Sequence, residues 1–417
     1  MQSLYVLGAS QRLAAALLFS SVLGCSPGDA TGDRGAQPGT DAAVPNAAAD
    51  ATARGMLDAS LLDSAVDAGP PCVEPEAGLP SDVFCTGLYK GRDPKTHADE
   101  AKPYTPGVKF WSDGAQKDRF LYLPPHTQID TSDLDAWKFP VGTKAWKEFH
   151  IDGKLVETRI FWKRSAAKWE SGTYLWDESE TNATLNTSLR AILLPNGYEI
   201  PNARDCGKCH HGGSDSLLGV EAVALALPMA EGETLSKLIA AGALSHPPVR
   251  KIVKLPEDST GKAAAALGYL HVNCGMPCHS TRGLGDETLL VMRLRAEELF
   301  ATSARDAGAL SADAAVPSAD AGASSADASG PSGNAAGPAS VVATDTYRAT
   351  VNQAPTTMSV AQKFPGAHRV VPGNHEQSLL WQLAHVRGNY QMPPLVSHKV
   401  DDVGTQQLAD WIDALPH

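Results

Sequence analysis

The sequence predicts a multidomain protein in which an antiparallel β-rich domain, a sandwich or barrel, precedes mostly α-helical domains. Three observations predict it. Six of the eight tryptophans fall between Trp111 and Trp176, among aromatic and β-branched runs that contain a hairpin signal. Beyond residue 260 the apolar period becomes that of a helix. Residues 26–71 and about 301–341 are mostly Ala, Asp, Ser, Gly and Pro. Those two stretches cannot bury enough apolar surface to offset chain entropy, so they predict disordered segments that punctuate the folded parts.

At the N-terminus, Arg12 precedes an apolar run of eleven residues, Leu13–Leu23, and then Gly24-Cys25. Such a run is too short for a permanent membrane span but suits an export signal. Val22-Leu23-Gly24-Cys25 resembles the lipobox of bacterial lipoproteins. That resemblance implies residues 1–25 as a lipoprotein signal peptide, a lipid on Cys25, and a location in the bacterial cell envelope as a periplasmic or outer-membrane lipoprotein. Residues 26–71 would then be the leash to the membrane surface. The alternative is an ordinary secretory peptide with an incidental cysteine.

The formal charge of −12 is concentrated in the low-complexity parts: residues 1–80 carry −6 and residues 301–345 carry −4. The acidity therefore belongs to solvated tails, and nothing in it supports a nucleic-acid partner.

The β-rich domain is expected over 72–200. Cys72 and Cys85 bracket a Pro-rich loop at its start. In an oxidising compartment a disulfide between them would contribute roughly 3 kcal/mol by restricting the unfolded chain. Asp152-Gly153 signals a type I′ hairpin. About that turn Phe149 should face Val156 and Trp146 should face Arg159, with Val156, Thr158, Ile160 and Trp162 on one side of the strand. The tryptophans read as an aromatic core, with a docking surface as the other reading. No Ser/His/Asp set, phosphate loop or zinc helix motif suggests separate hydrolytic or nucleotide chemistry.

Cys206-Gly207-Lys208-Cys209-His210 opens the next segment, 201–260. Covalent haem needs two thiols for the two vinyl groups and an imidazole directly after them, and C-x-x-C-H has that spacing. In 261–417, Cys274-Gly275-Met276-Pro277-Cys278-His279 has one residue more between its cysteines. A disulfide is the plain alternative there. C-x-x-x-C-H is nevertheless an uncommon variant of the attachment motif among c-type cytochromes. Gly275 would ease the wider turn and Pro277 would stiffen it.

Upstream of this motif, Ala263, Ala266, Leu267 and Leu270 share a helical face, and Leu408, Trp411, Ile412 and Leu415 do so near the C-terminus. This arrangement resembles the class I cytochrome c fold, whose terminal helices cross, with Gly268 expected to permit close approach. Met392-Pro393-Pro394 resembles the loop that supplies the distal thioether in that family. His279 and Met392 are separated by 113 residues, a span shortened by treating about 301–341 as an inserted loop. VVPGNHEQSLLWQLAHVRGNYQMPP is similar to cytochrome domains found beside bacterial sugar dehydrogenases, and the region around Cys206 resembles di-haem cytochrome-like proteins.

The resemblance implies two covalently bound haem c groups. Cys206, Cys209, Cys274 and Cys278 would form thioethers, His210 and His279 would ligate the irons, and Met392 would cap the second. The distal ligand of the first is not readable; Met229 and His246 are candidates by type and position. The implied function is electron transfer with a redox partner such as a periplasmic dehydrogenase or another cytochrome. A di-haem peroxidase with an open distal site is the enzymatic alternative.

Overall fold

The computed structural model describes residues 71–210, 215, 217–281, 283, 285–301 and 340–417, all within the unit Ser64–His417. Cys25, the leader, His211 and nearly all of both low-complexity stretches lie outside those residues.

The strands are β1 (Lys102–Thr105), β2 (Gln116–Tyr122), β3 (Lys144–Ile151), β4 (Lys154–Ser165), β5 (Lys168–Trp176), β6 (Ala183–Leu185), β7 (Ile192–Leu193), β8 (Glu199–Ile200) and β9 (Glu231–Gly232). Seven form one antiparallel sheet in the order β6-β5-β4-β3-β2-β1-β9, while β7 and β8 pair separately. A single open sheet thus replaces the expected sandwich or barrel.

The β3–β4 turn has φ of 50° at Asp152 and 79° at Gly153, the two positive values that a type I′ turn requires. Ile151 faces Lys154 and His150 faces Leu155, as the turn alone dictates. The register then shifts, so Phe149 faces Glu157 and Trp146 faces Ile160. Val156 is the extra residue of a bulge, which moves the predicted pairings by one.

Each face of the sheet has its own cover. Phe120, Trp146, Ile160, Trp162 and Tyr174 pack beneath Val83, Phe84, Leu88 and Tyr89 of the N-terminal segment. The Cys72–Cys85 disulfide (S–S 2.04 Å) ties the start of that cover, and Asp82 caps the short turn Val83–Thr86 by accepting from Phe84 N–H. The cover is irregular chain because the Pro- and Gly-rich sequence there offers no strand-length apolar run. On the opposite face Tyr104, Leu121, Ala145 and Phe161 join Leu225, Leu267 and Trp411 in one core. The segments expected as separate domains at 72–200, 201–260 and 261–417 therefore share buried surface.

The helices are α1 (Ala203–Cys209), α2 (Ala222–Ala226), α3 (Leu235–Ala240), α4 (Ala263–Leu270), α5 (Ala296–Phe300), α6 (Asp345–Thr350), α7 (Met358–Lys363), α8 (Leu379–His385) and α9 (Asp402–Ala414). Most are one or two turns, joined by irregular segments. Among the described residues none is long and apolar enough to cross a membrane. Ala263, Ala266, Leu267 and Leu270 are all 0% exposed, so the apolar face of α4 is wholly buried. Glu257 accepts from the Ala263 and Ala264 N–H groups and satisfies donors that the start of α4 would otherwise leave open. α4 and α9 pack together, but Gly268 is not the point of approach. A Cβ at Gly268 would meet Leu255 and Val108, whereas one at Gly404 would lie 2.0 Å from the Tyr269 ring.

Candidate functional site

A cavity of about 480 Å³ lies between the sheet and the helical half, within the size range of small-molecule and cofactor pockets. Cys206, Cys209, His210, Cys274, Cys278, His279 and Met392 all line it. Residues scattered over nearly 190 positions of sequence thus meet at one space.

The first motif rides on α1, which lies against β5. His210 N–H donates to the Cys206 carbonyl at 3.2 Å, closing a helical turn. Its ring stacks on Phe161 of β4 with centroids 4.1 Å apart. Asp215, just beyond the motif, accepts from Lys163 Nζ at 2.5 Å, from the Phe139 N–H at 2.8 Å and from the Trp169 indole. That carboxylate fastens the chain after His210 to β4 and β5.

The second motif continues α4. The helix widens into a π turn over His271–Gly275, and Met276 N–H donates to the His271 carbonyl. His279 N–H then donates to the Cys274 carbonyl at 2.8 Å, five residues back. The additional residue is absorbed by the wider helix. Gly275 is required for packing, since a Cβ there would lie 2.5–2.6 Å from backbone atoms of Met292 and Arg293. Gly283 and Gly285 bring the following loop onto the motif: Cβ atoms there would meet the Cys278 carbonyl oxygen at 2.0 Å and His279 Nδ1 at 2.6 Å.

Thr288 Oγ1 lies 3.4 Å from His279 Nδ1 and itself donates to the Gly285 carbonyl. The hydroxyl can therefore accept from Nδ1–H, leaving Nε2 as the ring's acceptor nitrogen. Burial, with Arg369 nearby, lowers the His279 pKa to about 4 and keeps the ring neutral. Burial raises the Cys274 thiol to about 12. The Cys278 thiol hydrogen-bonds Cys209, which lowers Cys209 to about 7 and raises Cys278. The second cysteines of the two motifs therefore neighbour each other.

Met392 is held by its N–H, which donates to the Leu383 carbonyl of α8 at 2.7 Å, and Pro393 and Pro394 line the cavity beside it. Met229 and His246 do not reach the cavity. Met229 is 71% exposed beyond α2, and exposed His246 shares a hydrogen bond with Ser245 at 2.9 Å. His271, 1% exposed, accepts from Leu294 N–H through Nδ1 and faces Glu221 through Nε2, so it is a packing residue.

The four thiols do not form a zinc-like cluster. Among the described residues the one group of three or more metal-type donors within 4.8 Å of one another is Asp118, Glu148 and His150. It lies on the other face of the sheet, where Glu148 already accepts from Tyr89 and faces His97.

Sequence reasoning missed Thr288, Gly283, Gly285 and Asp215. The Gly-x-Gly spacing just after the second motif was the available signal, because paired glycines mark close backbone approach. Comparison with protein-family models, with curated proteins and with solved structures returns no match.

Proposed function

We propose that this chain is an exported di-haem c-type cytochrome that relays electrons. The observation that carries this reading is the meeting of both Cys/His motifs and Met392 at one cavity. Its donor set suits the group: two thiol pairs, each followed by an imidazole, and a thioether beside two prolines. Gly285 supplies room at the His279 ring that a Cβ would fill. Bound haem supplies the one-electron iron couple.

The residues divide the remaining work. Cys206 and Cys209, and Cys274 and Cys278, would hold the two groups covalently. His210 and His279 would ligate the irons, with Phe161 and Thr288 fixing the ring planes. Met392 would supply the sixth ligand to the iron held by His279 and raise its potential relative to a second imidazole. The partner would be a periplasmic dehydrogenase or another cytochrome, and lipidation of Cys25 would hold the protein at a membrane surface.

Intact mass of the protein matured with haem-attachment machinery tests the reading. Two covalent haems are expected; a mature chain with none rules it out. Met392→Ala should abolish the near-infrared sulfur-to-iron band, and an unchanged band would remove Met392 from the ligand set. The positions of Met229 and His246 favour a second reading, a di-haem peroxidase in which the first iron keeps an open site. High-spin ferric signals together with peroxide turnover would select it.

A further inference from the structure

The cavity wall formed by the sheet is positively charged. Arg119 of β2 lies directly opposite Lys147 of β3, which lies directly opposite Arg159 of β4. Lys117, two residues before Arg119, extends the row, and all four line the cavity. Like charges facing across strands destabilise a sheet. Burying an ammonium or guanidinium without a counter-charge costs more.

Internal partners compensate only part of the row. Arg159 forms a two-point pair with Glu157 (2.9 and 2.5 Å). Lys117 Nζ donates to the Phe110 carbonyl and to Ser112 Oγ. Arg119 is 7% exposed and makes one weak bond, 3.5 Å to the Lys117 carbonyl. Lys147 Nζ has no hydrogen-bond partner among the described residues. Neither Arg119 nor Lys147 has a carboxylate within ion-pair distance among those residues. The wall as a whole is lopsided: six cationic side chains line the cavity against one acid, Asp205, and Asp205 already pairs with Lys208.

We infer that Arg119 and Lys147 bind the carboxylates of the cavity's occupant, which on the di-haem reading are porphyrin propionates. A porphyrin has the required form, a broad apolar body with two carboxylates on one edge. The rest of the lining is largely apolar, including Phe149, Phe161, Leu270 and Leu290. The carboxylates would replace the counter-charge that the strands lack and turn a repulsive row into a clamp.

Lys147→Met and Arg119→Met keep side-chain bulk and remove charge. In the unloaded chain each should raise the denaturant midpoint, because like-charge repulsion along the row is relieved. In the matured protein each should lose that gain and lower the midpoint potential of one haem, since a cation beside the ferrous–ferric couple is gone. Lys147→Arg and Arg119→Lys should restore the potential. A purely structural role would change stability with the same sign in both forms.

Equilibrium dialysis of succinate against the matured protein separates the two sources of carboxylate. Propionate occupancy predicts no saturable succinate binding. Saturable binding that Arg119→Met abolishes, with potentials unchanged, would transfer the site to a diffusible organic acid and overturn the propionate assignment. Two haems by mass, with stability and potentials unaffected by the variants, would overturn this inference alone. No haem by mass would overturn the di-haem reading and the propionate assignment together.

Discussion

The two Cys/His motifs make the same histidine-to-cysteine backbone bond from different lengths of chain. In each, the histidine N–H donates to the carbonyl of the leading cysteine, but His210 reaches four residues back to Cys206 and His279 reaches five back to Cys274. The first is an ordinary α turn on a short helix against the sheet. The second is a π turn that α4 runs into directly. The surroundings differ as well. Burial raises both leading cysteine thiols, but Arg159 pulls against it at Cys206 and nothing does at Cys274. The chemical requirement falls on which atoms converge, and a π bulge supplies the slack when the spacing is longer. The longer version depends more on its neighbours, because a side chain at Gly275 of the widened turn would overlap the backbone of Met292 and Arg293.

On the di-haem reading, the largest effect that could break this parallel is loss of a covalent group. Cys206→Ala with Cys209→Ala, and separately Cys274→Ala with Cys278→Ala, should each remove one haem from the intact mass. If the second pair removes none, the wider motif is not an attachment site and the parallel ends. Next in size, Gly275→Ala should destabilise the protein by about 3 kcal/mol through backbone overpacking. Lys208→Ala, at a half-exposed position in the first motif, should cost at most about 0.5 kcal/mol. Denaturant melts of the two variants would sharpen the contrast.

A smaller effect follows from the His279 environment. Its folded pKa of about 4 lies below the ordinary 6.5, so between these values the unfolded chain binds a proton that the folded chain refuses. The unloaded protein should keep its full stability above pH 6.5 and lose about 2 kcal/mol as pH falls through 6.5 to about 5. His279→Leu should remove that part of the slope in pH-dependent melts. Smaller than the pH effect, Thr288→Val should cost about 1 kcal/mol by removing the hydroxyl from His279 and the Gly285 carbonyl. An unchanged melt would leave the ring held by packing.

Local signals were legible in the sequence where one interaction decides the outcome. Asp152-Gly153 fixed a turn, and the 3.6-residue spacing in α4 and α9 identified their buried faces before any contact was known. Long-range choices were not legible. The bulge at Val156 depends on packing on both faces of β4, so the register beyond it was off by one. That same error hid the cation row, since Trp146 rather than Lys147 had been placed opposite Arg159. The single sheet replaced a sandwich because the chain before Lys102 covers one face as irregular structure. Met229 and His246 fit by residue type alone, and both are exposed outside the cavity.

The nearness of Cys209 and Cys278 bears on assembly. On the di-haem reading, a two-electron oxidant reaching the empty chain first would draw one sulfur from each motif into a shared bridge. Cys206 and Cys274 would be left single, each able to anchor only one side of a macrocycle. Chains oxidised first would need a thiol reductant before either motif could form both its thioethers, and those left unreduced should accumulate internally crosslinked.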